Sequence, residues 1–242
     1  MSEEIIITGK WSLQELDALL RGACMIAGTG RRIAFLSSHF VGIPYKENTL
    51  IGDIETPEVF VVDLESVDCF TFLEYIEAMR LAGSFSEFKG KLKRIRYQDA
   101  KVDYRKRNHF FTDWIEYNSV FAEDITTQAG CNKTAFIKKT LNIKEDGTYF
   151  LPGIAPRTRM IKYIPSEAID AGMIEKLKTG DYIGIFSEKE GLDVSHVGIF
   201  INNKGEAVLR HASSEKTLRK VVDQGFMDYI KNKPGIVVLR HR

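Results

Sequence analysis

Residues Val61 to Ala82 read V-V-D-L-E-S-V-D-C-F-T-F-L-E-Y-I-E-A-M-R-L-A: a β-branched run, a turn and a helix. The short strand covers Phe60 to Val62. Asp68 suits the N-cap of the helix, because its carboxylate can accept hydrogen bonds from first-turn N–H groups. The helix begins close to Cys69, and Cys69, Phe72, Leu73, Ile76 and Met79 fall on one face. A thiol at the first turn faces unpaired N–H groups and the positive end of the macrodipole, which favour the thiolate. A free cysteine on an apolar stripe also packs readily as a small hydrophobe. The rest of the chain decides between these two readings.

The 242 residues carry 34 Lys and Arg against 33 Asp and Glu, and a net charge of +1 makes no case for nucleic acid as a partner. Apolar residues make up 44% and charged residues 28%, a balance that supports a packed core. Cys24, Cys69 and Cys131 are odd in number, widely spaced and without a C-x-x-C, so neither a disulfide framework nor a zinc site is expected. Cys24, read as mid-helix, and Cys131 are expected to be structural. No apolar run is long enough for a transmembrane segment. The opening M-S-E-E-I-I-I-T lacks the basic region and apolar stretch of a signal peptide. Two expectations follow: a cytoplasmic protein, or an exported one whose signal is not in this chain.

Ser12 and Glu15 form a capping box for a helix to about Ile26, which Gly28-Thr29-Gly30 stops. A second helical stretch, Ile33 to Phe40, ends at the loop Val41-Gly42-Ile43-Pro44-Tyr45. Residues 86–107 are rich in Lys and Arg, as a solvated helix face is. Residues 108–121 are aromatic and helix-like. The region from about 86 to 141 reads as a helical insertion within a single domain spanning 1–242. Gly147 to Pro156 reads as a long loop, and Ser166 as the cap of a short helix to Leu177. Strands are expected at Tyr182–Phe186, Val194–Ile201, Ala207–His211 and Gly235–Leu239, with Asn202-Asn203-Lys204-Gly205 as a hairpin turn. Helices first and an antiparallel sheet second make the class α+β.

The hairpin carries His196 and His211. A two-residue turn that pairs Asn202 with Gly205 sets the two rings opposite each other on one face, with Cβ atoms roughly 5 Å apart. A three-residue loop with a glycine bulge sends them to opposite faces. A cysteine at a helix start and two histidines can supply a nucleophile, a base and an orienter. The same three as metal ligands lack a fourth.

The order of a cysteine helix, a strand opening on histidine and a polar residue on the next strand resembles the NlpC-type papain-like cysteine hydrolases of bacterial cell walls. Asp68-Cys69 is similar to their nucleophile motif and Ser195-His196-Val197-Gly198 to their histidine strand. His211 falls where the third residue often stands, and Pro44-Tyr45 resembles the tyrosine loop lining their active site. Gly42-Ile43-Pro44-Tyr45, Asp68 to Glu74, Asp113-Trp114 and Leu192 to His196 together resemble one branch, the cysteine-dependent N-acetylmuramoyl-L-alanine amidases. The likeness runs from about residue 40 to 240. Two departures stand out: Phe70 follows the cysteine where small residues are usual, and no export signal is present.

The resemblance implies a papain-like fold in which the nucleophile helix packs on an antiparallel sheet. It also implies a cysteine amidase of peptidoglycan fragments, in the periplasm or cell envelope, with cytoplasm as the alternative. Cys69 attacks the amide joining the lactyl group of muramic acid, in its reducing or 1,6-anhydro form, to L-alanine, His196 moves the proton and His211 orients His196. No metal or organic cofactor is expected, and a monomer is expected. Candidate substrate-binding residues are Tyr45, Asp68, His109, Asp113, Trp114, Arg157 and Ser195. On a helix His109 and Asp113 share a face, and Trp114 either offers an aromatic wall to a sugar or packs in the core with Phe110 and Phe111. Stem-peptide carboxylates suit Arg157 and Arg159, or Arg105 and Arg107. Two alternatives remain open: a γ-D-glutamyl endopeptidase of the stem peptide and a non-catalytic muropeptide-binding module. A glycosidase would need two carboxylates across a cleft; Asp113 and Glu116 could be proposed, but nothing in the sequence pairs them. Iodoacetamide at neutral pH is expected to label Cys69 before the other two thiols and to abolish hydrolysis. Peptide mapping by mass spectrometry checks this, and preferential labelling of Cys131 with activity retained overturns it.

Overall fold

The computed structural model describes residues 3–203 and 205–242. The chain divides into two compact units, one running to Arg107 and taking up Arg210–Asp223, the other holding Asn108–Leu209 and Gln224–Arg242.

The first unit opens with strand β1 (Glu4–Ile7) and helices α1 (Leu13–Cys24) and α2 (Thr29–Ser38). Strand β2 (Phe60–Asp63), helix α3 (Cys69–Arg80) and helix α4 (Phe85–Arg96) follow. The capping box of Ser12 and Glu15 forms as the sequence suggests, so α1 starts where local chemistry places it. Strands β1 and β2 pair in parallel, Glu4 opposite Phe60. Gly9, with φ at +60°, turns the chain after β1; a Cβ there would lie 2.9 Å from the Glu65 Cα. Phe72 meets Phe40 at 5.7 Å between ring centroids and Tyr75 meets Phe88 at 6.2 Å. This unit buries charge as well as carbon. The Arg96 guanidinium, fully enclosed, donates to the Glu74 carboxylate at 2.6 Å and to the Val61 carbonyl at 2.6 Å. Arg80 and Glu77, both buried, pair at 2.5 Å.

The second unit holds α5 (Phe111–Tyr117), β3 (Ala122–Asp124), α6 (Thr126–Gly130), β4 (Ala135–Leu141) and β5 (Arg157–Pro165). Helix α7 (Ala171–Ile174), β6 (Tyr182–Phe186) and β7 (Val194–Asn203) come next. The first residues of β8 (Glu206–Ala212), helix α8 (Phe226–Ile230) and β10 (Gly235–His241) complete it. Strand β9 (Val221–Gly225) lies across the boundary in sequence. The sheet order is β4-β5-β10-β6-β7-β8, with β3 on β10. The pairs β4–β5, β5–β10, β3–β10, β10–β6 and β6–β7 are antiparallel. Ile183, Ile185, Phe200, Phe226, Ile236 and Val238 form the centre of its core. The class is mixed α and β with an antiparallel sheet.

Three local expectations change. The stretch ending at Leu141 is not helical: Ala135–Leu141 is a strand paired to Arg157–Pro165, Ala135 opposite Tyr163. Its burial does not alternate: Phe136, Ile137 and Lys138 are exposed in succession while Lys139 is buried. The helix after Pro165 is a 3-10 turn followed by the single turn of α7, whose N-cap is Asp170 rather than Ser166. Cys24 closes α1 and is exposed, not enclosed in mid-helix. Lys204, in the expected hairpin turn, lies outside the described residues. Among the described residues no helix is long and apolar enough to cross a membrane.

Arg96→Ala is expected to destabilise the protein by about 3–5 kcal/mol, because it strands the Glu74 carboxylate without a partner. Lys89→Ala, which loses a partly exposed contact with Glu4, is expected to change stability by about 1 kcal/mol or less. Urea unfolding monitored by circular dichroism measures both.

Candidate active site

In the first unit the chain leaves β2 through a turn that Asp63 closes. Its Oδ1 accepts the N–H groups of Glu65 at 3.0 Å and Ser66 at 3.1 Å, and its own N–H donates to the Tyr75 hydroxyl at 2.9 Å. Two residues later Asp68 takes extended backbone geometry and caps α3, as the sequence suggests. Its Oδ1 accepts from the Phe70 N–H at 2.9 Å and the Thr71 N–H at 2.7 Å, while Thr71 Oγ1 accepts the Asp68 N–H at 3.1 Å. The carboxylate offered above as a substrate contact is therefore occupied by the cap, with Thr49 Oγ1 3.4 Å from its second oxygen. Cys69 is the first helical residue and is half-buried.

Tyr45 stands beside it. Tyr45 pairs in parallel with Val67 and Pro44 pairs antiparallel with Lys220, so three extended segments run side by side. Val67 N–H donates to the Pro44 carbonyl at 3.0 Å, Lys46 N–H to Val67 at 3.0 Å and Tyr45 N–H to Arg219 at 2.9 Å. A fourth segment follows, since Ser213 N–H donates to Lys220 at 2.9 Å. Burial pushes the Tyr45 phenol up to about 12, and the charges of Cys69 and Asp68 push in the same direction. The phenol is thus a proton donor throughout the neutral range, beside the sulfur. A cavity of about 510 Å³ is lined by Ile43 and Pro44 of this loop together with Lys10, Leu64 and Glu65.

His211 belongs to this unit and is buried. Its neighbour Arg210 anchors the strand. The guanidinium takes Asp223 in a two-pronged contact, 2.7 Å on each prong, and donates to the Ala34 carbonyl and Ser37 Oγ at 3.0 Å each. The sequence carried no signal for this anchor, because its partners are 13 and more than 170 residues away.

His196 lies in the second unit on β7, half-buried, with its ring 6.2 Å from Tyr229. It sits at a β-bulge. His196 pairs with Ile185 and Val194 with Phe186, so the exposed Ser195 is the extra residue. A bulge twists a strand locally and re-aims the residues beside it. The loop ahead of the bulge is tied at two points. Buried Asp193 accepts the Thr112 N–H at 2.7 Å, the Thr112 hydroxyl at 2.8 Å and the Val194 N–H at 2.7 Å. Lys139 Nζ donates to the carbonyls of Ser187, Lys189 and Leu192 at 2.7, 2.7 and 3.0 Å.

The proposed sugar wall changes character. Trp114 is fully buried, stacked on Phe111 at 6.4 Å and edge-on to Tyr182 at 5.9 Å, so its indole is core and offers no open face. His109 precedes α5 and does not share a helical face with Asp113. Asp113 is held by Arg159 and by Arg157, the latter at 3.1 Å, and Glu116 pairs with Arg159. Both arginines thus already face a carboxylate of the fold. Arg107 is likewise paired, with Glu58. Arg105 is exposed. Cys131 is exposed, has φ at +50° and lies 3.1 Å from Lys176 Nζ. Among the described residues, no group of three or more His, Cys, Asp or Glu is gathered as a metal would require.

A family model described as AmiA-like, N-acetylmuramoyl-L-alanine amidase-like, matches residues 35–236. The chain belongs to this family. Its structure resembles an N-acetylmuramoyl-L-alanine amidase from Bacteroides uniformis, 29% identical, over 88% of this chain and 99% of that one, with a TM-score of 0.73. A protein from Legionella pneumophila, 23% identical, shares the fold with a TM-score of 0.79 over 95% of this chain and 94% of that one. A Bacteroides fragilis protein whose name proposes a xylanase is 30% identical, with a TM-score of 0.67 over 84% of this chain and 98% of its own. A comparison with curated protein sequences returned no match.

Trp114→Ala is expected to destabilise the protein by about 3–5 kcal/mol, as removal of a large core aromatic does, rather than to alter selectivity alone. Thermal unfolding of the variant beside the wild type reads this directly.

Proposed function

We propose that the protein is a cysteine-dependent N-acetylmuramoyl-L-alanine amidase of papain-like type, acting on peptidoglycan fragments in the cell envelope. The observation that carries this reading is Cys69 at the first position of a firmly capped helix, with the protonated Tyr45 phenol beside its sulfur. The family supports an amidase-type hydrolase, and the nucleophile and the bond it attacks are the reading proposed here.

Cys69 attacks the carbonyl carbon of the amide between the lactyl group of muramic acid and L-alanine. The oxygen gains charge as the tetrahedral intermediate forms. The Cys69 N–H, at the positive end of α3, and the Tyr45 hydroxyl are the donors that would receive it. His196 takes the thiol proton and returns it to the nitrogen of the departing L-alanine, leaving a thioester. Water, deprotonated by the same imidazole, releases the muramoyl acid and restores the thiol. His211, on the strand anchored by Arg210, orients His196 and supports its charged form.

One rival reading meets a structural observation and the other turns on substrate choice. A glycosidase built on Asp113 and Glu116 would need one of them protonated and free to move a proton. Here both carboxylates face arginines. A γ-D-glutamyl endopeptidase would use the same nucleophile on another bond, and only substrate choice separates it from the amidase.

Mass analysis of products from a sugar-linked stem peptide and from the free stem peptide tests the proposal. Cleavage of the sugar-linked amide alone is expected; cleavage of the free peptide alone replaces the amidase with the endopeptidase. Cys69→Ala is expected to lower kcat by about 10⁴-fold or more, and Tyr45→Phe by about 10²-fold. His196→Ala is expected to lower activity more than His211→Ala, since water can partly replace an orienting group. A Cys69→Ala protein that retains full function marks a binding module instead.

A further inference from the structure

We propose that Arg219 forms a carboxylate-binding subsite beside the candidate nucleophile, and that it reads the free α-carboxylate of the second stem residue. This rests on the amidase reading and names the feature of the substrate that the site selects.

Four arginines of the first unit, Arg80, Arg96, Arg107 and Arg210, are held by carboxylates in largely enclosed pairs. Arg219 is built differently. Its side chain is 45% exposed and its partner, Glu47 at 3.1 Å, is 61% exposed. An ion pair in that setting contributes about 0–1 kcal/mol, so a better-placed carboxylate can take the guanidinium from Glu47. The guanidinium carbon also lies 4.7 Å from the centroid of the Tyr45 ring. Stacking on an aromatic face holds the plane of the fork while leaving its N–H edge open to a two-pronged contact.

The backbone shows that this position is enforced. Arg219 has φ at +44°, a conformation that disfavours a side chain by about 1–2 kcal/mol. Its N–H donates to Glu215 and its carbonyl accepts from Tyr45, both at 2.9 Å. A glycine or asparagine would suit that geometry better, yet an arginine stands there, over the tyrosine that flanks Cys69.

Reach agrees with chemistry. The Arg219 segment lies next to the Tyr45 segment, which lies next to the Val67 segment leading into Cys69. At strand spacing this sets the Arg219 and Val67 backbones on the order of 10 Å apart. A long side chain from there meets a group about one residue beyond the scissile amide. In a muramoyl peptide that group is the α-carboxylate of the residue after L-alanine, when it is not amidated.

The experiment uses two probes that differ at this one group: MurNAc-L-Ala-D-Glu and its α-carboxamide, MurNAc-L-Ala-D-isoglutamine. For the wild type, KM is expected to be about tenfold lower for the acid. Arg219→Gln and Arg219→Asn are expected to raise KM for the acid about tenfold and leave the amide's KM and both kcat values within about twofold. Asparagine tolerates the positive φ, so this variant keeps the fold, and thermal midpoints of both variants verify it. An acid-to-amide ratio that is near one in the wild type, or unchanged in both variants, overturns the subsite. Calorimetric binding of the same probes to Cys69→Ala, with and without Arg219→Asn, separates this proposal from the amidase reading. Hydrolysis with no dependence on Arg219 sinks the subsite and leaves the amidase. Arg219-dependent preference for the acid without hydrolysis of either probe by the wild type supports the subsite and sinks the amidase.

Discussion

The carboxylate of Asp68 sets where helix α3 begins, and so where Cys69 stands. Two first-turn N–H groups converge on one of its oxygens, and Thr71 returns a bond to the Asp68 N–H. Without that cap the first turn would fray and the thiol would lose its fixed direction. The cap in turn stands on the turn closed by Asp63 and on the pairing of Val67 with Pro44 and Tyr45. A short-range device thus depends on a few hydrogen bonds from a segment more than twenty residues upstream.

The first unit encloses two ion pairs. Arg96 with Glu74 and Arg80 with Glu77 lie among aromatic and aliphatic side chains of α3 and its neighbours. Burial opposes ionisation of Glu74, and Arg96 opposes burial. Such pairs add little net stability but penalise any packing that separates the partners, which favours one arrangement of α3 and α4 over its alternatives. The second unit keeps a related device at its loop. Three carbonyls around one ammonium and three donors around one carboxylate leave residues 187–194 few ways to move ahead of the bulge at His196.

Local chemistry alone was enough for several elements. The Ser12–Glu15 box, the Asp68 cap, the helix starting at Cys69 and strands β6, β7, β8 and β10 follow from spacing over a few residues, because capping and alternation act within one turn or one pleat. The motifs around Tyr45, Cys69 and His196 carried the resemblance to the amidases, and a family model described as amidase-like matches residues 35–236. What local sequence could not tell was set by partners far away in the chain. Lys139 faces inward because three carbonyls some fifty residues on receive it, so β4 read as the end of a helical insertion. Trp114 is core rather than a sugar wall because Tyr182 covers it. Arg157 and Arg159 turn to Asp113, while Arg210 turns to Asp223 and Arg219 to Tyr45. A cation's role depends on which carboxylate, ring or carbonyl lies within about 4 Å of it, and that distance exists only once the chain has folded.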